Sequence, residues 1–263
     1  MDGRPTPQTA LVTGASSGIG LDLARLLAKD KYNLILVARN ADRLSAIAGE
    51  LSSEHGIQAR PLPLNLAEPG ACDDLHRSIE ALRIDVDVLV NNAGFGSHGP
   101  FSASDVNQEL QMIQVNVVAL THLTRLFLPA MIARKSGKIL NVASTAGFQP
   151  GPLMAVYYAT KAYVLSFSEA IAAEVTGSGI TVTTLCPGPT ATDFHHRAKI
   201  ENTPLFKANT MSSATVAKIG YRGMLKGRRI VVPGMRNKLM VMSVRISPRR
   251  LVTAVTRKLN SSR

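Results

Sequence analysis

Thr9-Ala-Leu-Val-Thr13-Gly14-Ala-Ser-Ser-Gly18-Ile-Gly20-Leu-Asp-Leu-Ala-Arg-Leu-Leu-Ala28 carries three signals in immediate succession. Its first five residues are a short apolar run of strand type, and its last eight place apolar residues at helical spacing. A turn with three glycines joins the two. In that order the chain offers backbone N–H groups and the positive end of a helix to an anion, which suits a phosphate. Gly14 allows the tight turn, Gly18 lets backbone approach a pyrophosphate, and Gly20 lets helix and strand lie close.

The alternation continues outward from this unit. Residues 33–38, Asn-Leu-Ile-Leu-Val-Ala, form an unbroken apolar run of the kind buried on both faces of a parallel sheet. A helix over 41–54, a proline-edged strand within 58–66, helical residues 69–82 and a strand over 86–90 follow. The pattern predicts an α/β fold, a Rossmann-type doubly wound parallel sheet of about seven strands with helices on both faces. Later strands are expected at 138–144, 179–187 and 229–233, and helices at 104–134, 155–175 and 214–225. Asn116 falls inside the long 104–134 helix, where Asn is a mediocre helix former; it reads as a satisfied core amide or as the mark of a local distortion. In such sheets ligands sit at the carboxyl ends of the strands, where Asn91-Asn92-Ala93-Gly94 lies.

The end of the second strand reads as a cofactor selector. An acidic residue there would bind a ribose 2′-hydroxyl, but the chain has Ala38 followed by Arg39. A guanidinium without a carboxylate suits a 2′-phosphate, hence NADP(H) over NAD(H).

A second centre runs from Ser144, at the end of a buried strand, to Lys161. Tyr157 and Lys161 are four apart on one helix and share a face. Free tyrosine titrates near 10, so it exchanges protons poorly at neutral pH unless tuned. A nearby ammonium, and the positive nicotinamide when oxidised, are expected to favour the phenolate and lower that value, making Tyr157 the general acid in reduction and the general base in oxidation. Ser144 would hydrogen-bond a carbonyl oxygen as charge develops on it. Tyr158 has no lysine partner at that spacing and is expected to pack in the core or an interface.

Composition bounds the function. Nearly half of the 263 residues are apolar, and no linker or internal repeat divides the chain, so one domain is expected. Cys72 and Cys186 match no zinc or redox spacing, and His98, His195 and His196 are not set among carboxylates as metal ligands. The start lacks an apolar targeting segment, and no uninterrupted apolar run approaches a bilayer span, so a cytoplasmic protein is expected. The net charge of +12 is unevenly spread. Fourteen Lys and Arg and no acidic residue lie in 202–263, while the first 201 residues hold 16 basic and 18 acidic side chains.

In this order and spacing, Thr13-Gly-Ala-Ser-Ser-Gly-Ile-Gly20, Asn91-Asn-Ala-Gly94, Asn116, Ser144, Tyr157-x-x-x-Lys161 and Pro187-Gly188 resemble the short-chain dehydrogenase/reductase family over residues 9–235. The resemblance implies ketone–alcohol interconversion by hydride transfer, with Tyr157, Lys161, Ser144 and Asn116 catalytic. Lys161 would also hold the nicotinamide ribose and Asn116 a water that passes the proton onward. It further implies that Gly14, Ser16, Ser17, Gly18, Ile19 and Gly20 surround the pyrophosphate, and that Asn65 and Leu66 meet the adenine. Asn92, Ala93, Gly94, Pro187, Gly188, Thr190 and Thr192 would line the nicotinamide half. Asn65 departs from the family's usual Asp, and Thr190 from its usual Val or Ile. A homodimer or homotetramer is implied.

The substrate pocket is expected to combine Phe95, Gly96, Phe148, Met154, Phe194, Phe206 and Met211. Such walls suit a carbonyl or secondary alcohol on a hydrophobic or extended molecule. The rival function is a non-catalytic nucleotide-binding regulator or scaffold on the same fold. Residues 236–263 read as a basic amphipathic extension beyond a catalytic domain of 1–235, with Leu251, Val255 and Leu259 on one helical face. That face is expected to pack on the domain or a second subunit, or to rest on an anionic membrane surface; nucleic acid is disfavoured because interleaved aromatic residues are missing.

Overall fold

The computed structural model describes residues 8–192, 203–204 and 210–261. Phe194 and Phe206, expected in the substrate pocket, lie outside them, as do His195 and His196.

Successive side chains of each strand go to opposite faces of one seven-stranded sheet. In β1 (Thr9–Thr13), Ala10 and Val12 join one core while Leu11 joins the other. β2 (Asn33–Ala38) repeats this with Leu34 and Leu36 against Ile35 and Val37. The first face is covered by α1 (Gly18–Lys29), α2 (Ala41–His55) and α7 (Ser213–Leu225). The second is covered by α3 (Ala71–Ala81), α5 (Leu120–Arg134) and α6 (Ala155–Glu174). With both faces buried, continuous apolar strands are the physical requirement.

The remaining strands are β3 (Ala59–Pro63), β4 (Val88–Asn91), β5 (Gly137–Val142), β6 (Ile180–Leu185) and β9 (Ile230–Val231). Their order is β3-β2-β1-β4-β5-β6-β9, with every neighbouring pair parallel. The connections reverse direction between β1 and β4, and a crevice opens there at the strand ends. β7 (Thr190–Ala191) and β8 (Met211–Ser212) form a separate parallel pair after β6. Beneath the site, Asn91 donates to Thr124 Oγ1 (3.1 Å) and Asn141 Oδ1 (2.9 Å), and Asn141 donates to Ser168 Oγ (2.9 Å). This buried polar ladder ties β4 and β5 to α5 and α6.

Two expectations change. The helix expected over 104–134 starts two residues later, at Val106, after the N-cap Asp105, whose carboxylate accepts from Asn107 N. It is α4 (Val106–Ile113), a π-helical stretch (Gln114–Ala119) and α5 in continuous succession. At 29 residues the run meets the length and apolarity of a membrane span, which the sequence reading had excluded. Its Met112, Leu120, Leu123, Phe127 and Met131 are buried, so one face of the run belongs to the core of this fold, while Val106, Leu110 and Ile113 are exposed.

The second change is at the C-terminus, where α8 (Met235–Ile246) precedes the expected helix, α9 (Arg249–Asn260). The face of α9 that packs inward carries Val252, Thr256 and Asn260, while Leu251 and Val255 are exposed. The expected apolar face is therefore mostly the outer one. Asn260 explains the rotation: its amide donates to Pro152 O (2.9 Å) and accepts from Tyr158 Oη (3.2 Å), and its carbonyl meets His98 Nε2 at 2.7 Å.

Candidate active site

A cavity of about 470 Å³ occupies the crevice and runs from the glycine turn to the start of α6. Its walls include Gly14, Ser16, Ser17, Gly18, Ile19, Arg39, Asn65, Leu66, Asn92, Ala93 and Gly94. Ser144, Tyr157, Lys161, Pro187, Gly188, Thr190 and Thr192 complete the set expected from sequence. Gly20 and Asn116 stand behind this wall.

At the glycine turn, Gly14 has φ +66° and Gly18 φ +55°, a backbone region that only glycine enters without strain. A Cβ on Gly20 would stand 2.3 Å from both Asn92 Nδ2 and Gly14 O. Asn92 braces the turn: its side chain donates to Thr13 O (2.9 Å) and Gly14 O (3.2 Å), and the N–H groups of Asn92 and Ala93 both donate to Thr13 Oγ1 at 3.0 Å. Ser17 at the N-cap of α1 makes no side-chain capping bond, and the first turn holds no acidic residue. The positive helix end therefore faces the cavity uncompensated. Thr192 packs over Gly18 from the opposite side. Arg39 is exposed at the rim and makes no ion pair with a described residue. Asn65 spends its amide on a local turn, donating to Glu68 Oε1 (2.8 Å) and accepting from Ala67 N (3.2 Å).

At the other end, Ser144 leaves β5 in extended geometry and caps a short 3₁₀ turn, accepting from Ala146 N at 3.1 Å. Its hydroxyl also lies 3.3 Å from Pro187 O and is hydrogen-bonded to Tyr157. Gly147 lets this turn sit on α6, since a Cβ there would meet Lys161 O at 2.6 Å. Leu153, just before α6, is held at φ +69°, the left-handed region disfavoured for a bulky residue. Strain of this kind persists where surrounding contacts over-determine the backbone.

Lys161 is buried, and its Nζ donates to Val142 O at 2.9 Å. It lies 5.9 Å from the centroid of the Tyr157 ring. Asn116, in the π-helical stretch, accepts from Phe95 N (3.1 Å) and donates to Phe95 O (2.9 Å) and Thr160 Oγ1 (3.1 Å). The distortion expected at Asn116 is therefore present, and so is the satisfied amide. Gly94 makes room for both: a Cβ there would stand 2.9 Å from Asn116 Oδ1 and 3.4 Å from Lys161 Nζ.

The electrostatics reverse one expectation. Burial pushes the Tyr157 phenol up to about 12, against the lowering effect of the Ser144 hydrogen bond, and Tyr158 adds a smaller rise. Lys161 donates to Val142 O and stands 5.9 Å from the ring centroid, and the lost hydration dominates at the phenol. Burial in turn holds Lys161 down at about 8, with Cys186 opposing. The protein without a bound cofactor thus keeps a protonated tyrosine above an easily discharged ammonium.

The substrate pocket is partly as expected. Phe95 and Met154 line the cavity. Gly96 does not, Phe148 packs with Leu120 and Val164, and Met211 packs against the core beneath α1 and α7. Tyr158 is buried as expected and also lines the cavity. Sequence reasoning missed Arg236, Asn237 and Met240 of α8 and Leu259 of α9, which close the same cavity. The signal was present in Met235, Leu239, Met242 and Ile246, a helical repeat that reveals α8. Among the described residues, no cluster of three His, Cys, Asp or Glu is placed to hold a metal ion.

Comparison with known proteins agrees with this geometry. The family model for short chain dehydrogenases matches residues 8–203. A very-long-chain 3-oxoacyl-CoA reductase of Anas platyrhynchos is 34% identical over 221 residues, covering 82% of this chain and 69% of that protein. One of Phaeosphaeria nodorum is 38% identical over 185 residues, covering 68% and 53%. The chain thus spans about half to two thirds of the length of these relatives. A solved short-chain dehydrogenase from Sphingobium yanoikuyae in complex with NADPH has 31% identity and a TM-score of 0.81, covering 90% of this chain and 92% of that one. With its sheet order, strand-end crevice and matched motifs, the chain belongs to the short-chain dehydrogenase family and is an oxidoreductase.

Proposed function

We propose that the protein reduces a ketone on a long, apolar substrate with NADPH, and that 3-oxoacyl thioesters are its substrate class. The observation that carries the reading is the Ser144–Tyr157 hydrogen bond above buried Lys161, in the same cavity as the glycine turn. The residues fit the cofactor. The uncapped α1 terminus suits a pyrophosphate, and Arg39, without an ion-pair partner among the described residues, suits a 2′-phosphate. The NADPH complex of the Sphingobium relative supports the same choice. Among the cavity-lining residues, Asn65 and Leu66 would border the adenine, and Asn92 to Gly94, Pro187, Gly188, Thr190 and Thr192 the nicotinamide.

When bound, NADPH supplies the hydride. Ser144 and Tyr157 hold the substrate carbonyl oxygen by hydrogen bonds that strengthen as negative charge develops. Tyr157, kept protonated by burial, gives its proton to that oxygen. Lys161 holds positive charge beneath the phenol, which stabilises the phenolate as its proton leaves. Asn116 fixes the Phe95 backbone at the substrate side through both polar atoms of its amide.

The names of the two reductase relatives favour the 3-oxoacyl class, and apolar Phe95, Met154, Met240 and Leu259 suit an extended chain. We assign self-association to the exposed Val106, Leu110 and Ile113 face of α4, in a homodimer or a homotetramer. Steady-state NADPH oxidation with 3-oxoacyl thioesters of increasing length tests the substrate reading. The expected result is kcat/KM rising with chain length; equal values for short and long chains would remove the long-chain assignment.

A further inference from the structure

The two C-terminal helices close the cavity from one side and carry an unpartnered apolar stripe on the other. On α8, Met235, Leu239, Met242 and Ile246 fall at i, i+4, i+7 and i+11 and share one narrow face. Met242 is 65% exposed and Ile246 is 87% exposed. The opposite face, with Asn237 and Val241, is buried against the domain. Helical spacing puts Lys238 and Arg245 along one flank of the stripe and Arg236 along the other. On α9 the exposed apolar residues are Leu251 and Val255, one turn apart. Phe101, 67% exposed, shares a groove with Arg249, Arg250 and Arg257 beside α9.

All seven Lys and Arg of residues 235–260 are exposed, and no acidic residue occurs after Glu201. Long basic side chains flanking an apolar stripe can bury their stems in an interface and keep their charges at its polar level. A stripe of this composition suits neither water nor an ordinary acidic protein surface. A second copy of the chain is disfavoured, because a symmetric contact of α8 with itself would bring Lys238 and Arg245 near their own equivalents.

We infer that the exposed faces of α8 and α9 dock on an anionic lipid bilayer, with Leu239, Met242, Ile246 and Leu251 in the acyl boundary and the flanking basic residues at the headgroups. Arg236 and Met240 of α8 and Leu259 of α9 also line the cavity, so docking sets the cavity wall at the lipid surface. The inference concerns docking alone and stands whether or not Tyr157 turns over a ketone.

Co-sedimentation of the full chain with phosphatidylcholine vesicles and with mixed phosphatidylcholine–phosphatidylglycerol vesicles tests it. Expected is binding to the anionic vesicles only, weakened by salt, at about fivefold in partition for each basic residue near the surface. The Met242→Asp/Ile246→Asp variant, altered only at exposed positions, should lose partition at least tenfold while keeping its thermal midpoint and NADPH binding. An Arg245→Glu/Arg249→Glu/Arg250→Glu variant should lose anionic selectivity. Equal sedimentation with both vesicle types, or binding unmoved by the variants, overturns the inference. A wild type that binds no vesicles, but whose oligomer in light scattering is broken by Met242→Asp/Ile246→Asp, overturns it in favour of a contact between copies.

Discussion

At the scale of single residues, the proposed reading assigns charge selection to Arg39 and proton transfer to Tyr157. Arg39→Ala should weaken NADPH binding roughly 10- to 100-fold, the range for losing a hydrogen bond to a charged group, while NADH binding changes little. Fluorescence titration with both nucleotides checks this, and equal losses would make Arg39 a bystander. The pH profile belongs to Lys161. Its ammonium is held down at about 8, so it is charged below that pH and discharged above it. Tyr157, pushed up to about 12, remains a proton donor across the same range. Reductive kcat/KM, which reports the free enzyme, should be level through neutral pH and fall through about pH 8. A profile level to pH 10 would mean that the Lys161 proton is not needed. Tyr157, Lys161, Ser144 and Arg39 were legible because residue type and spacing alone suggest their chemistry. The sign of the Tyr157 shift was not legible. Spacing on a helix says that two side chains share a face, not that burial dominates at the phenol or that the lysine donates to Val142 O.

At the scale of elements, the cavity depends on close approaches that a methyl group disrupts. Gly20→Ala would drive a Cβ into Asn92 and the Gly14 carbonyl, displacing the brace of the glycine turn. The expected effects are a loss of about 1–3 kcal/mol in stability and weaker binding of NADPH and NADH alike, read by denaturation and titration. Loss of NADPH alone would place the effect at Arg39 instead. The continuous apolar strands and the glycine turn were readable because a parallel sheet buried on both faces demands them. The α8 helix was equally readable, in the helical spacing of Met235, Leu239, Met242 and Ile246, but the inward face of α9 was not. Thr256 and Asn260 look like surface residues in sequence; the polar groups of His98, Pro152 and Tyr158 make the burial of Asn260 favourable, and Val252 O accepts from the Thr256 hydroxyl. Asn260→Ala should lower stability by about 1–3 kcal/mol, because Tyr158 Oη and Pro152 O lose their partner. An unchanged thermal midpoint would mean that α9 is held by its apolar contacts alone.

At the scale of the whole molecule, two exposed apolar regions serve different contacts in this account. The α4 face is assigned to self-association, and the basic α8–α9 face to lipid. Light scattering of Leu110→Glu should show a smaller particle than wild type, with the fold intact by circular dichroism. No change in particle mass would remove α4 from the interface. The body and tail also differ in charge, which an average of +12 conceals. The candidate catalytic residues belong to the near-neutral body, and half of the 14 basic side chains of 202–263 lie on the two helices that form one wall of its cavity.

The central claim is that Tyr157 gives the proton in a hydride reduction carried out in this cavity. Single-turnover oxidation of bound NADPH by a long-chain 3-oxoacyl thioester, comparing wild type with Tyr157→Phe, tests it most directly. The account predicts unchanged NADPH binding and a rate lower by about 10²- to 10⁴-fold in the variant. Equal rates in the two proteins would contradict it.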